Sequence, residues 1–144
     1  MRLNHAQALP AAAAYLRAAV QVFEGTGVDL ALRDLVSIRA SQLNGCSFCL
    51  DLHWREARAR GETEQRLSLV AAWREATCYT ERERAALLWT EAVTLVADSH
   101  VPDDVYATAS GVFAPADLVA LTFAVTLINS WNRLQVAFRV APRT

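Results

Sequence analysis

RDLVSIRASQLNGCSFCLDLHWREARARGETEQRL, residues Arg33 to Leu67, carries the alternation of helix and breaker on which the fold turns. Upstream, Asp29 supplies an N-cap side chain for a helix that runs to about Leu43, with Leu32, Leu35, Val36 and Ile38 as apolar positions. Asn44-Gly45 interrupts that helix. The next one starts near Cys46 and stops at Gly61, a residue suited to the left-handed conformation that ends helices. Its last turns, HWREARAR, are strongly charged and are expected to face solvent.

The same period governs the rest of the chain. A helix is expected from about Pro10 to Phe23, with Leu16, Val20 and Phe23 on one face and EGTG at its end. Thr63 caps a short helix carrying Leu67, Val70 and Trp73. Thr80 and Glu83 form a capping box that opens a helix to about Ala97, with Ala85, Leu88, Ala92 and Leu95 inward. DSHVPDD is a loop, and Pro102 suits the first position of a short helix to about Ser110. Pro115 opens the last helix, which is apolar nearly all round between Leu118 and Ile128. Such a helix belongs at the centre of a bundle or in an oligomer interface. No run of strands, repeat or linker interrupts this pattern, so the expected fold class is all-α, one domain over residues 1–144.

Composition narrows the function. The length suffices for a core without disulfide staples. The apolar fraction of 53% is slightly high for a globular domain and favours burial between subunits or a very apolar helical core. A net charge of -1 leaves no basic footprint for nucleic acid. All 14 basic residues are arginine, which excludes Schiff-base chemistry, pyridoxal enzymes and a P-loop lysine. The N-terminal MRLNHAQALPAAAAYLRAAV lacks a continuous apolar core and reads as a helix of the mature protein, and no run is long enough for a membrane span. Three cysteines, an odd number, do not make a secreted disulfide framework, so a cytoplasmic location is expected.

The chemistry concentrates in NGCSFCLDLH, Asn44 to His53. Cys46, Cys49 and His53 are spaced to share one helical stripe, with Cys46 at the helix N-terminus. That terminus carries partial positive charge and free N–H groups, both of which stabilise a thiolate. The second cysteine can close a disulfide with the first, and His53 can carry the proton. Zinc is the competing reading, with Cys46, Cys49 and His53 as ligands and Cys78 or His100 as the fourth. Structural zinc sites draw on two separated ligand pairs, whereas this chain has one compact cluster. Inert core cysteines are the third reading.

The quoted stretch, with AWREA, TERERAALLW, HVPDDVY and INSWNRLQVAFR further on, resembles the AhpD-like alkylhydroperoxidases of the carboxymuconolactone decarboxylase family, over roughly residues 30 to 140. The resemblance implies an AhpD-like helical bundle that assembles as trimers or hexamers. It also implies peroxidase or disulfide reductase activity without metal, haem or flavin, hence no cofactor. A hydroperoxide would be the substrate, and a lipoyl domain, a thioredoxin-like protein or a small thiol would be the electron donor. The family cysteines match Cys46 and Cys49, and the family histidine matches His53. The family glutamate that serves the proton relay falls on Asp34, one methylene shorter, so its contact with the histidine is expected to become water-mediated or to fail. Some members carry a histidine between the cysteines, where this chain has Phe48. Decarboxylating members generally lack the CxxC, which argues against that reaction here.

Two arguments compete over the attacking thiol. The helix terminus favours Cys46, whereas His53 one turn on favours Cys49. The histidine is given the greater weight, making Cys49 the peroxide-reacting thiolate and Cys46 the resolving thiol. Trp54, Trp73, Trp89 and Trp131 are expected in the core or an interface. Cys78 is expected to be an ordinary free thiol, His100 solvated and His5 part of a frayed terminus. Asn129, Asn132 and Arg133 line the pocket, pair across subunits or cap the end of the last helix. Glu56 is a second candidate to orient the imidazole, although its charged face favours a surface pair.

Overall fold

The computed structural model describes residues 1–142. Among them the chain forms α1 (His5–Ala8), α2 (Pro10–Ala18), α3 (Leu30–Leu43), α4 (Ser47–Ala59), α5 (Glu64–Leu69), α6 (Glu81–Thr94), α7 (Val96–Ser99), α8 (Asp103–Val112) and α9 (Pro115–Ala137), with no strand. No single helix among them is long and apolar enough to cross a membrane.

The sequence signals act where they stand. Asp29 accepts a hydrogen bond from the N–H of Leu32 and caps α3. Thr63 caps α5, and Thr80 with Glu83 forms the complete capping box of α6. Gly45 adopts φ +64°, so the N–H of Gly45 reaches the carbonyl of Gln42 and the N–H of Cys46 reaches that of Ser41. This is a Schellman closure, and it delivers Cys46 as the N-cap of α4. Gly61, at φ +96°, closes α4 in the same way.

Helix α3 is central and packs against α4, α6 and α9. One core cluster joins Leu32 and Val36 of α3 to Ala86 and Trp89 of α6 and to Leu121 and Val125 of α9. A second joins Leu35 and Ile38 to Ala57, Leu67, Val70, Trp73 and Leu87. Burying a leucine as fully as Leu87 or Leu121 contributes about 2 kcal/mol. A third, smaller cluster holds Ala40, Cys46, Cys49 and Ile128, with Phe48 and Trp131 against it.

Several expectations are corrected. The first helix tightens into a 3-10 turn at Ala19–Phe23, which changes the angular step, leaving Val20 exposed while Phe23 stays buried. Helix α6 stops at Thr94, so Leu95 ends outside the core. Pro102 stands at the N-cap of α8 rather than at its first position. Trp54 is half exposed beneath Arg58, while Trp73 and Trp89 are buried as expected. His5 is not frayed: its ring packs against Phe138 and Trp131, and its Nε2 lies 3.2 Å from Oε1 of Gln135. On α9, Val119 and Phe123 remain exposed one turn apart, and Val136 is exposed nearer its end.

Candidate active site

The Schellman turn at Gly45 sets the site, because it fixes which residue caps α4. The sulfur of Cys46 accepts the backbone N–H of Cys49 at 3.4 Å. Both thiols are buried, and all three cysteines are free. The Cys46 thiol is lowered to about 6, chiefly because the Cys49 thiol donates to its sulfur. Burial opposes this, while the Cys49 N–H, the Asn132 amide and the charge of His53 add to it. The Cys49 thiol is pushed up, because it serves as donor to Cys46 and is itself buried. The electrostatics therefore favour Cys46 as the thiolate, against the weight given to Cys49 from spacing to His53. The cap position outweighs the histidine because N–H and thiol donors act at contact distance, whereas His53 acts only through its charge.

Three asparagines hold this corner. Asn44 donates to Oδ1 of Asn129 at 3.0 Å and to Oδ1 of Asn132 at 2.9 Å. Asn132, fully buried, donates to Oγ of Ser41 at 3.0 Å, and Asn129 donates to Oγ1 of Thr94 at 3.0 Å. Asn129 and Asn132 are thus not helix caps but clamps that fix α9 against the α3–α4 break. Arg133 turns back to the carbonyl and side chain of Asn129.

His53 projects into a separate cavity of about 300 Å³, lined also by Arg33, Asp34, Glu56, Arg60 and the apolar side chains of Phe23, Leu127, Ile128 and Trp131. The cysteines do not line it. Ile128 and Trp131 belong to both places, since they line the cavity and also pack with the cluster that holds the thiols. Cys46 instead borders a groove formed with Phe48, Gln135, Val136 and Arg139.

Asp34 does not reach His53. Arg60 holds both of its oxygens, Nε to Oδ2 at 2.8 Å and Nη2 to Oδ1 at 2.5 Å. Glu56 lies nearer the imidazole, with Oε2 3.3 Å from Nδ1 but without hydrogen-bond alignment, and 3.6 Å from Arg60. The proximity of His53 holds the Glu56 carboxyl below its usual range against the effect of burial. Asp34, His53 and Glu56 each bring a ligand atom within 4.8 Å of one another. A cation there would have to displace Arg60 from Asp34. Among the described residues, Cys46, Cys49 and His53 do not gather with Cys78 or His100 at ligand spacing.

Arg60 and Arg33 escape a sequence reading. Arg60 stands 26 residues from Asp34, and only its spacing to Glu56 is a local signal. HWREARAR faces solvent only in part: Trp54, Arg55, Arg58 and Ala59 are exposed, whereas Ala57 is buried and His53, Glu56 and Arg60 line the cavity.

This arrangement, a helical bundle with a CxxC at a helix start and a histidine one turn deeper, defines an AhpD-like protein. The chain belongs to the carboxymuconolactone decarboxylase family, whose sequence model matches residues 7–92. It is 40% identical over 112 residues to the uncharacterized protein YdfG of Bacillus subtilis, covering 78% of this chain and 76% of YdfG. It is 29% identical to the uncharacterized protein YnjA of Escherichia coli, covering 78% of this chain and 62% of YnjA. A crystal structure from Agrobacterium tumefaciens, of unknown function and proposed to be the antioxidant defence protein AhpD, superposes with a TM-score of 0.94 at 39% identity, covering 99% of this chain and 98% of that one. The debrominase Bmp8 shares the fold at 15% identity, with a TM-score of 0.76 over 85% of this chain and 66% of Bmp8.

Proposed function

We propose that this chain is a cysteine-based oxidoreductase that reduces hydroperoxides through a reversible Cys46–Cys49 disulfide, an antioxidant role that its family supports. The observation that carries the reading is the sulfur of Cys46 seated as the cap of α4, with the N–H and the thiol of Cys49 both serving it.

The Cys46 thiolate attacks the terminal oxygen of the hydroperoxide. An S–O bond forms, the O–O bond breaks, and the departing alkoxide takes a proton for which His53 is the carrier. The sulfenic acid on Cys46 then condenses with the Cys49 thiol; the S–S bond forms and the hydroxyl leaves as water with the Cys49 proton. One hydroperoxide and two thiols give one alcohol, one water and one disulfide. An external thiol donor returns two electrons and two protons by exchange at the disulfide. Asp34 acts on this relay only indirectly, through Arg60 and Glu56. Three cysteines, an odd number, fit a reducing, cytoplasmic setting. The uncovered Val119 and Phe123 support assembly into a homo-oligomer, for which a trimer or hexamer is the family expectation.

A redox titration with mass detection tests the reading. Loss of two hydrogens, confined to the Cys46–Cys49 peptide and reversed by dithiol, is expected, together with peroxide consumption that Cys46→Ser and Cys49→Ser abolish. Stoichiometric zinc, or peroxide consumption unchanged in both variants, overturns it.

A further inference from the structure

The cavity beside His53 contains a cation, Arg33, that no acid among the described residues pairs with at contact. Of its four charged side chains, Asp34 and Arg60 are joined by two hydrogen bonds, and Glu56 lies against His53 and Arg60. Arg33 is left over. Its Nε is buried and has no hydrogen-bond partner, and its side chain makes no ion pair among the described residues. The two acids whose charge it feels are otherwise engaged, Asp34 by Arg60 and Asp29 as the cap of α3. The guanidinium carbon lies over the Phe23 ring, 4.5 Å from its centroid, which seats the cation against the apolar wall. Burial pulls its affinity for the proton below that of an ordinary arginine.

An unsatisfied N–H on a desolvated cation is costly. A planar oxyanion would remove that cost, since the guanidinium fork matches a carboxylate with two parallel bonds. The remaining walls, Phe23, Leu127, Ile128 and Trp131, suit a compact hydrocarbon body, and the cavity volume of about 300 Å³ suits a small organic molecule. We propose that Arg33 is the anion anchor of this cavity, and that the chain takes small organic carboxylates there, its substrates being hydroperoxides that carry a carboxylate. The word substrate rests on the peroxidase reading above; the anion site does not.

The test has two arms. The first is calorimetric binding of 4-isopropylbenzoate against the uncharged 4-isopropylbenzamide. Wild type is expected to prefer the carboxylate at least about tenfold, as a charge-assisted pair allows. Arg33→Gln should remove that preference, and Arg33→Lys, which keeps the charge, should retain part of it. The second arm compares kcat/KM for cumene hydroperoxide with that for its ring-carboxylated counterpart. The ratio favours the carboxylate in wild type and collapses in Arg33→Gln. Equal binding of benzoate and benzamide by wild type, or a preference that survives in a folded Arg33→Gln, overturns the anion site. Turnover of both peroxides with equal kcat/KM overturns the substrate class while leaving the peroxidase reading intact. Arg33-dependent benzoate binding with no peroxide turnover sinks the peroxidase reading and upholds the anion site.

Discussion

The backbone N–H of Cys49 points at the sulfur of Cys46 across 3.4 Å, so the second cysteine of the motif serves the first. The thiol of Cys49 reinforces this as a donor, which lowers Cys46 and raises Cys49 together. A stripe drawn from spacing puts Cys49 nearer His53 and so favours it as the thiolate. The cap reverses that order.

The reduced protein should therefore alkylate with iodoacetamide at one fast thiol whose rate rises with a midpoint at about 6. Peptide mapping should place that adduct on Cys46. Cys49→Ala removes the leading donor and should move the midpoint up by roughly one unit or more. A fast thiol that persists in Cys46→Ala would show that the assignment is reversed.

Asn132 and Asn129 separate clamping from thiolate support. Either alanine variant should lose about 1–3 kcal/mol in urea denaturation, because each leaves buried polar partners unsatisfied. Only Asn132→Ala should also raise the alkylation midpoint, since Asn132 alone of the two contributes to Cys46. An equal shift in both variants would attribute the effect to loosened packing.

The Asp34–Arg60 pair tests the indirect role of Asp34, whose side chain is only 7% exposed. Arg60→Gln leaves that carboxylate buried without its partner and should cost about 1–3 kcal/mol in chemical denaturation. Adding Asp34→Asn to Arg60→Gln should recover part of the loss, because the buried charge is then gone. A double variant less stable than the single one would refute this account.

Glu91 links folding to acid. Burial by itself would raise its carboxyl, but hydrogen bonds from Arg74, Trp73 and Arg39 outweigh this and hold it below the ordinary 4.5. Arg39 and Arg74 each approach to 2.7 Å and the Trp73 indole to 2.8 Å. A carboxyl lowered on folding contributes stability above its unfolded value, and that contribution fades as pH falls through the folded one. Stability measured between pH 7 and pH 3 should thus fall less steeply in Glu91→Gln than in wild type. Parallel curves would refute the linkage.

Much of the fold is legible in single residues. Asp29, Thr63 and Thr80 cap the helices they precede, and Gly45 and Gly61 end the helices they follow. These signals act within one turn of backbone, so neighbouring letters suffice to read them. The same locality explains the misreadings at Val20 and Leu95, where a 3-10 turn and an early helix end shift the phase of the apolar pattern.

By itself, then, the sequence determined an all-helical chain, the break at Asn44-Gly45 and a CxxC placed at a helix start. The tertiary structure alone decided that Arg60 takes Asp34, that Asn132 stands beside the thiols, that Ile128 and Trp131 are shared by the thiol cluster and the His53 cavity, and that Arg33 has no ion-pair partner among the described residues. The physical reason is the range of the forces involved. Caps and turns bind partners a few residues away, whereas these contacts join α3 to α4 and to α9. They exist only at the angles and distances that the apolar core sets when those helices pack.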